Sequence, residues 1–379
     1  MRKKVFLFVI MASILIFKPL SAQTWEEEKR LTWNSGESRL PAIATDSGNN
    51  IHLVWYDDTP GNNEVFYKKS TDGGLHWITK RLTWNSGTSA IPSIATDSGN
   101  NIHMVWEDES PGNFEVFYRK STNGGASWTT KRLTWNSGNS FNPVIATDSG
   151  NNIHVVWEDD NSGNFEIYYK SSTNGGVNWT TKRLTWNSGN SRIPAMAKDS
   201  SDNIHVIWGD DTPGSYEVFH KKSTDGGLTW VTKRLTWNSG HSWFPSIDCD
   251  SSGNIFLVWH DSNPGNYDIY FKKSTDAGST WSEAKRITWT TGMSWKPEIS
   301  TDSSDNIHVV WGDDSTGTSK VYYKRSTDGG MSWATRMLTL NPGESASPKI
   351  ATDFNDDIHV VWVDGNPGNY EIFYKKGKQ

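Results

Sequence analysis

The chain has 379 residues and a formal net charge of −6, and it contains 22 tryptophans but a single cysteine, Cys249. One cysteine excludes a disulfide framework and a cysteine-based zinc site. Without the basic N-terminal segment described next the net charge is −10. Because an acidic surface repels polyphosphate, this charge argues against a nucleic-acid partner.

The first 22 residues predict a secretory signal. Three cations at residues 2–4 precede an apolar stretch, Val5–Phe17, and the small pair Ser21-Ala22 suits a cleavage site. About 13 apolar residues are too few to cross a bilayer as a helix. No cysteine follows the cleavage point to carry a lipid anchor. We therefore expect a mature protein that begins at Gln23, is secreted or periplasmic, and does not insert into a membrane.

A repeat of 51 residues occupies the rest of the sequence. It is marked by the pentapeptide Ile51–Trp55, Ile-His-Leu-Val-Trp. Copies of this pentapeptide begin at Ile102, Ile153, Ile204, Ile255, Ile307 and Ile358. The spacing is 51 residues except for one step of 52, so residues 23–379 hold seven repeats.

Each repeat contains four predicted strands, and no window shows a helical period. In the first repeat the predicted strands are Pro41–Asp46, Ile51–Asp57, Glu64–Ser70 and Trp77–Trp84, separated by turns rich in Gly, Asn and Asp. Four strands in a repeat of this length are typical of a β-propeller blade. The sequence therefore predicts an all-β, seven-bladed β-propeller with four antiparallel strands per blade, as a single domain over residues 23–379.

The predicted ring closes through its N-terminus. The seventh repeat ends at Lys376-Gly377, before a fourth strand of its own. Trp25 precedes Arg30 at the spacing expected for the missing tryptophan. We expect the N-terminal strand to complete the last blade, which hides both sheet edges.

The turn after the third strand carries a motif. Ser70–Trp77 fits Ser-x-Asp-x-Gly-x-x-Trp, and five further copies follow, with Asn123 and Asn174 replacing Asp in two of them. The motif resembles the Asp-box, or BNR repeat, of sialidases and of many secreted propellers without enzymatic activity. This resemblance implies a sialidase-like propeller fold. In such turns Asp caps backbone amides and Gly takes positive φ.

Two repeats resemble bacterial sialidases further. Arg39 and Arg192 each begin an Arg-(Leu/Ile)-Pro tripeptide, and Asp58 and Asp211 each begin the Asp-Thr-Pro-Gly loop that follows. In sialidases the arginine holds the substrate carboxylate and the aspartate is the acid/base. The resemblance implies these roles for Arg39 with Asp58, or for Arg192 with Asp211.

The sequence also departs from the sialidase pattern. Known sialidases have six blades, three arginines on one carboxylate, and a tyrosine nucleophile activated by a glutamate. Here Arg39 and Arg192 are three repeats apart, and no glutamate is evidently paired with Tyr56. The loops have nearly equal lengths, whereas one active site usually requires long, unequal loops.

Positions that differ between repeats are freer to carry function. The most variable stretch is the Asn-Ser-Gly-x-Ser-x-x-Pro loop that enters each innermost strand, where we expect it to ring the mouth of the central channel. The candidate ligand-binding residues in this ring are Arg39, Phe141, Arg192, His241, Trp243 and Trp295. Aromatic rings stack on sugar C–H faces and polar groups bind hydroxyls, so this mixture favours a glycan. Protein contact and packing between blades are the alternatives.

Two further sets of repeated polar residues invite a metal interpretation. Seven aspartates follow the pentapeptide tryptophan in a Trp-x-Asp pattern: Asp57, Asp108, Asp159, Asp210, Asp261, Asp313 and Asp364. They could bind Ca²⁺, but we favour a role as acceptors for backbone N–H groups of their own loops. Six histidines at one strand position are predicted to pack in the core, because equivalent atoms of successive blades lie too far apart for one ion. We predict no metal site and no cofactor.

The function favoured by the sequence is that of a secreted, non-catalytic, lectin-like propeller. It would bind a glycan or glycoconjugate through the variable face near the central channel. An exo-sialidase-type glycoside hydrolase is the alternative, and an extracellular protein-interaction scaffold is the second alternative.

Overall fold

A computed structural model of the protein describes residues 23–263 and 265–378. The predicted signal, residues 1–22, lies outside the described residues, so cleavage near Ala22 stays a prediction. The described part contains 29 strands joined by turns and bends. Within it, no helix is long and apolar enough to span a membrane.

The strands form four sets according to their place in a blade. The innermost strands are β3 (Ser38–Thr45), β7 (Ser89–Thr96), β11 (Ser140–Thr147), β15 (Ser191–Lys198), β19 (Ser242–Cys249), β23 (Ser294–Thr301) and β27 (Ser345–Thr352). The second strands are β4 (Ile51–Asp57), β8 (Ile102–Asp108), β12 (Ile153–Asp159), β16 (Ile204–Asp210), β20 (Ile255–Asp261), β24 (Ile307–Asp313) and β28 (Ile358–Asp364). The third strands are β5 (Glu64–Ser70), β9 (Glu115–Ser121), β13 (Glu166–Ser172), β17 (Glu217–Ser223), β21 (Asp268–Ser274), β25 (Lys320–Ser326) and β29 (Glu371–Lys378). The outer strands are β1 (Thr24–Trp25), β2 (Lys29–Arg30), β6 (Ile78–Arg81), β10 (Thr129–Arg132), β14 (Thr180–Arg183), β18 (Val231–Arg234), β22 (Lys285–Arg286) and β26 (Ala334–Met337).

The chain forms a seven-bladed β-propeller with four antiparallel strands per blade, as predicted. Each innermost strand contacts the innermost strands of both neighbouring blades, and the ring closes where β27 contacts β3. The second and third strands of the first repeat have the predicted bounds. The predicted bounds of the innermost and outer strands were wrong, because β3 begins at Ser38 and β6 spans only Ile78–Arg81.

The innermost strand extends past its proline because a bulge accommodates the missing amide. Arg39 pairs with Tyr56 and Ala42 pairs with Val54, which leaves Pro41 and the residue before it outside the regular register. A proline cannot donate to the ladder, so within a strand it is tolerated at such a bulge.

The outer strand is short because the chain leaves the sheet after Arg81. The amide of Leu82 still donates to the carbonyl of Val65 at 2.7 Å. Beyond it the side chain of Thr83 replaces the backbone, since its Oγ1 accepts the Val65 amide at 2.8 Å. The segment then turns toward the next blade.

The N-terminal segment completes the last blade, as predicted. Trp25 pairs with Gly377 and Arg30 pairs with Phe373, both on β29. The ring of Trp25 packs edge-on against Tyr323 with centroids 4.9 Å apart. The turn tryptophans of the other blades make the same edge contact with an aromatic ring, or in one case a histidine, of the preceding blade.

The hydrophobic core lies between blades. Val54 and Val65 of the first blade pack against Ile102, Met104 and Trp106 of the second, and all five are 0–2% exposed. Since both faces of each blade are covered in this way, the second strands are almost wholly buried. Every blade therefore depends on its neighbours for burial.

The repeated histidines are buried inside the blades. His52 joins two groups, because its Nδ1 lies 2.8 Å from the Tyr67 hydroxyl and its Nε2 lies 3.1 Å from Asp46 Oδ2. The fifth blade replaces the histidine and the tyrosine together, by Phe256 and Phe271, so neither polar group is left without its partner. Equivalent buried histidines are His103, His154, His205, His308 and His359.

The ring closure can be tested with a matched pair of substitutions in the N-terminal segment. We expect Trp25→Ala to lower the free energy of unfolding by about 3 kcal/mol, because it removes an aromatic contact between the last two blades. Trp33→Ala should change it by less than about 0.5 kcal/mol, because that side chain is exposed. Urea unfolding followed by tryptophan fluorescence and circular dichroism measures both. Equal effects of the two substitutions would contradict a stabilising closure.

Candidate functional site

All seven innermost strands carry their bulge at the same end of the channel, and we call this ring of bulges the channel mouth. The residue before the proline has positive φ in every blade: Leu40 (42°), Ile91 (47°), Asn142 (50°), Ile193 (52°), Phe244 (49°), Lys296 (48°) and Ser347 (49°). This conformation is costly for residues other than glycine, above all for β-branched ones. Bulges redirect side chains and are frequent beside functional sites.

Two buried glutamates hold the bulges of neighbouring blades. Glu107 accepts the Asn142 amide at 3.0 Å, and Glu158 accepts the Ile193 amide at 2.6 Å. Glu158 is fully buried and also accepts two bonds from the guanidinium of Arg192. Glu107 is 5% exposed, and no cation pairs with it in the part of the chain that the structure describes. Burial, reinforced by the charge of Glu158, raises the pKa of Glu107 to about 7.

The two arginines implied by the sialidase resemblance are both neutralised by carboxylates. Arg192 pairs with the buried glutamate of the preceding blade, and its guanidinium lies 4.1 Å from the ring centre of Phe165. Arg39 pairs with Glu37 at 2.7 Å, and its guanidinium lies 4.2 Å from the ring centre of Tyr370. Each arginine thus ties its loop to the preceding blade.

The two aspartates implied as acid/base residues brace their loops. Asp58 Oδ1 accepts the Glu37 amide at 2.6 Å. Asp211 accepts both the amide and the side chain of Asn190, at 2.6 and 3.0 Å. Asp160 makes the same pair of bonds in a blade that lacks the arginine tripeptide. The bonds therefore belong to the loop architecture, and a catalytic role for Asp58 or Asp211 stays a prediction.

The aromatic candidates lie at the channel mouth and pack between blades. Phe141 lies 5.0 Å from Phe114 between ring centres. Trp243 lies 3.7 Å from Tyr216 and covers Gly209, where a β-carbon would stand 2.6 Å from its ring. Both candidates are half-buried, so one ring face is already occupied.

The remaining two candidates differ in exposure. Trp295 is half-buried, and its indole Nε1 would lie 2.9 Å from a β-carbon at Gly312. His241 is exposed, and its Nδ1 accepts the Tyr216 amide at 3.3 Å. The structure thus places all six predicted ligand-binding residues on one face but distributes them around the ring.

Tyr56 lies at the channel mouth opposite Arg39 in the register. Burial raises its pKa; the charge of Arg39 opposes this shift and the charge of Glu107 reinforces it. A raised pKa makes the phenol harder to ionise, so this environment does not activate a tyrosine nucleophile.

The seven aspartates of the Trp-x-Asp pattern are buried and saturated with hydrogen bonds. Asp57 Oδ1 accepts the Thr59 amide at 2.9 Å, and its Oδ2 accepts the Ser38 hydroxyl at 2.6 Å and the Asn34 amide group at 2.5 Å. The described part of the chain contains no cluster of three or more His, Cys, Asp or Glu side chains placed to hold a metal ion.

A second set of aromatic residues is exposed on the segments that join the blades. At six of the seven junctions a tryptophan is 64–69% exposed, and at the seventh Leu340 replaces it. We call these six the junction tryptophans: Trp33, Trp84, Trp135, Trp186, Trp237 and Trp289. Single exposed apolar side chains are common on protein surfaces, so the distinguishing feature of these six is that a large aromatic ring recurs at one equivalent position.

Five of the six junction tryptophans are held from both sides along the chain. The Arg30 guanidinium lies 5.8 Å from the ring centre of Trp33 and pairs with the buried Glu371 at 2.8 Å. On the other side Asn34 is bonded to Asp57. The same cation–ring contact recurs at four more junctions. The indoles are therefore ordered while most of their surface stays open.

We call the space between a junction tryptophan and the following blade a junction groove. The groove beside Trp135 has a cavity of about 300 Å³, near the lower limit of the range usual for ligand sites. The exposed indole lines this cavity together with the buried Trp157 and the half-buried Tyr168, and the polar lining includes Lys170 and Thr181. An apolar wall with a few polar groups is the usual composition of a small-molecule site.

Another cavity, of about 320 Å³, lies near the turns of the fourth and fifth blades beside His220 and Gly278. Here His220 replaces the tyrosine that bonds to the buried histidine elsewhere, and its Nδ1 has no hydrogen-bond partner among residues 23–263 and 265–378. Burial holds the pKa of His220 well below its usual value, so the ring is neutral. The smaller ring accounts for this cavity.

No family model and no curated protein matches this chain, but solved structures do. A protein of unknown function from Dyadobacter fermentans is 14% identical, with a TM-score of 0.62 over 95% of this chain and all of that one. The α-L-arabinofuranosidase of Fusarium graminearum, solved with arabinobiose, is 13% identical with a TM-score of 0.60 over 80% and 98%. A mutant of NanB sialidase from Streptococcus pneumoniae is 14% identical with a TM-score of 0.50 over 91% and 70%. At these identities the likeness shows the propeller fold alone.

The sequence reasoning missed the junction tryptophans, because it assigned recurring residues to the scaffold. Their position in the sequence could have indicated that they are exposed. Trp33 directly precedes an Asn-Ser-Gly turn, and turns lie at the surface. Leu31 and Thr32, just before it, are buried and fix its outward direction.

The buried carboxyl at the channel mouth gives a pH-dependent prediction. Because the folded-state pKa of Glu107 is raised, its unfolded form ionises first as the pH rises from about 4.5 to about 7, and folding loses stability over that range. We expect Glu107→Gln to match the wild type near pH 4 and to be more stable at pH 8, by on the order of 3 kcal/mol.

The measurement is urea unfolding of both proteins from pH 4 to pH 8. Glu109→Gln, at an exposed position two residues away, is the matched control and should follow the wild type. A stability difference between Glu107→Gln and the wild type that does not change with pH would contradict the prediction.

Proposed function

We propose that the protein is an exported, non-catalytic carbohydrate-binding propeller that binds glycans in its junction grooves. The single observation that carries this proposal is the set of six junction tryptophans, each 64–69% exposed at an equivalent position. Export rests on the predicted signal, and the sialidase-like, Asp-box character of the blades rests on the resemblance of their turn motifs.

The arrangement of the tryptophans suits sugars. Pyranose rings present C–H faces to an indole and hydroxyls to nearby polar groups. In the groove of Trp135 such polar groups come from Asn136, Asn161, Lys170 and Thr181. The likeness in fold to an arabinofuranosidase solved with arabinobiose and to a sialidase further supports a carbohydrate ligand.

The spacing of the tryptophans favours a repeated small ligand over one protein partner. Protein interfaces bury contiguous patches of about 800 Å² on each side. The junction tryptophans are single rings, each separated from the next by a whole blade. Six equivalent weak sites also give high avidity for a polysaccharide or a glycan-coated surface.

Binding is favoured over sialidase-type hydrolysis by the state of the groups that hydrolysis would need. Arg39 and Arg192 are each paired with a glutamate and stand in separate loops. The pKa of Tyr56 is raised rather than lowered. The variable face of the channel mouth, with the residues Arg39, Phe141, Arg192, His241, Trp243 and Trp295, is the site that the sequence favoured, and it is the alternative that the following test distinguishes from the junction grooves.

The test is a glycan array with residues 23–379 and two variants. We expect replacement of all six junction tryptophans by Ala to abolish binding, because the stacking surface is lost while the exposed positions tolerate alanine. A double variant, Trp243→Ala with Trp295→Ala, should keep binding, since it alters only the channel mouth. Circular dichroism and the unfolding midpoint of each protein show that the fold is intact.

Each other outcome has a definite meaning. Loss of binding only in the channel-mouth variant would move the site to that face and contradict the proposal. Binding that survives in both variants would also contradict it. An array without any hit, together with a protein that copurifies, would favour the interaction scaffold.

A further inference from the structure

We infer that the junction grooves select acidic glycans, whose carboxylate or sulfate groups bind a cation placed at the same point of every groove. This inference rests on the proposed function and names its ligand class. The cations stand on the third strands, one per blade: Lys68, Arg119, Lys170, Lys221, Lys272, Lys324 and Lys375. Six of them belong to the grooves of the junction tryptophans, and Lys375 belongs to the junction where Leu340 replaces the tryptophan.

The cations belong to the grooves. Lys272 Nζ lies 5.9 Å from the ring centre of Trp237, and Lys170 lines the cavity beside Trp135. At another junction Arg119 donates to the carbonyl of Leu82, two residues before Trp84. Lys375 donates likewise to the carbonyl of Leu338 at 2.8 Å. The contact therefore recurs around the ring.

These cations lack the carboxylate partners that other buried charges of the blades have. Arg81, for example, pairs with the buried Glu64 at 2.9 Å. None of the seven groove cations forms an ion pair within the described part of the chain. Burial lowers the pKa of each of them, including Lys68 and Lys170, which reflects the cost of keeping the charge there.

The acidic groups near the groove cations do not neutralise these cations. Asp159 lines the cavity beside Lys170, but its oxygens accept bonds from Asn136, Ser140, Trp157 and the Asn161 amide. Glu283 and Glu28 attract Lys272 and Lys375 only from a distance, and Asp108 does the same for Arg119. An anionic ligand would supply the missing partner.

The third blade shows the groove in its most open form. Lys68, Lys221 and Lys324 donate to a threonine hydroxyl of the outer strand, at 2.5 to 2.6 Å. The ammonium of Lys170 makes no hydrogen bond within the described residues, and its groove contains the cavity of about 300 Å³. An ammonium in a half-buried, aromatic-lined space, with donors to spare, fits a carboxylate or sulfate on a stacked sugar.

The acidic net charge of the protein does not oppose this selectivity at short range. Charges farther than about 8 Å from the groove are largely screened at physiological ionic strength. Contact between a ligand anion and a half-buried cation is screened much less. The neighbouring cation Lys131 adds to the positive potential at Lys170.

The test uses residues 23–379 and two matched pairs of probes. Polygalacturonate is compared with its fully methyl-esterified form, and dextran sulfate with dextran, by titration calorimetry. We expect at least one acidic probe to bind at least 10-fold more tightly than its neutral counterpart. The first pair reports on carboxylates and the second on sulfates.

Two variants with the same change of net charge locate the effect. The groove variant replaces Lys68, Lys170, Lys221 and Lys272 by Met; it should lose most of the preference for acidic probes, because Met keeps the apolar stem and removes the charge. The control variant replaces Lys69, Lys120, Lys222 and Lys273 by Met; each is on the third strand of its blade, one residue after the groove cation of that strand and on the opposite face. It should keep the preference. Circular dichroism checks the fold of both.

The outcomes separate this inference from the proposed function. Equal binding of acidic and neutral probes, with loss of both in the six-alanine variant, would overturn the acidic selectivity and leave carbohydrate binding intact. Equal loss of acidic binding in the groove and control variants would overturn it too, because net charge alone would explain the preference. Failure to bind any glycan would overturn both.

Discussion

The buried aspartate of the Trp-x-Asp pattern is the interaction on which the rest of each blade depends. Asp57 accepts bonds from three separate segments: the junction through Asn34, the innermost strand through Ser38, and the loop after the second strand through Thr59. In other blades the buried tryptophan two residues earlier also donates to it. One carboxylate thus fixes where the chain enters a blade and where its second strand ends.

The same carboxylate determines the direction of the junction tryptophan. Trp33 lies between Thr32, which bonds to the preceding blade, and Asn34, which bonds to the following one. With both neighbours fixed, the indole can point only outward. Its exposure is therefore built into the backbone of the junction. An isolated charge inside a blade would be costly, but the three or more bonds to each aspartate offset that cost.

The fold could be predicted from the sequence because the same pattern of four strands and their turns recurs in seven repeats. The run Ile51–Asp57 gave correct strand bounds, since a β-branched and aromatic segment between two turns allows little else. The start of β3 was predicted wrongly because Pro41 was taken as the first residue of the strand, whereas β3 begins at Ser38. The bulge places positive φ on the residue before the proline, and that residue is of a different type in most blades, so the sequence shows no pattern that marks it. The closure by Trp25 was predictable because its partner position on the last blade was empty.

The candidate site was harder to predict, because sequence reports which residues recur and not which are exposed. Variable residues such as Trp243 and Arg192 were expected to face a ligand, yet each is half-buried against the preceding blade. Variation there partly reflects paired packing, since Trp243 covers a glycine at position 209. The recurring Trp33 position was expected to be scaffold, yet most of its surface is open.

Recurrence and exposure together distinguish a repeated binding site from a repeated structural element. A recurring buried residue, such as His52 with its partners Asp46 and Tyr67, is retained by the hydrogen bonds inside its blade. A recurring exposed tryptophan has no such bonds, and its hydration costs free energy at every junction. An exposed tryptophan nevertheless recurs at six junctions, and the cation of the following blade has no carboxylate partner within the described residues. The ligand proposed for the grooves would account for both features, whereas the hydrogen bonds inside the blades account for neither.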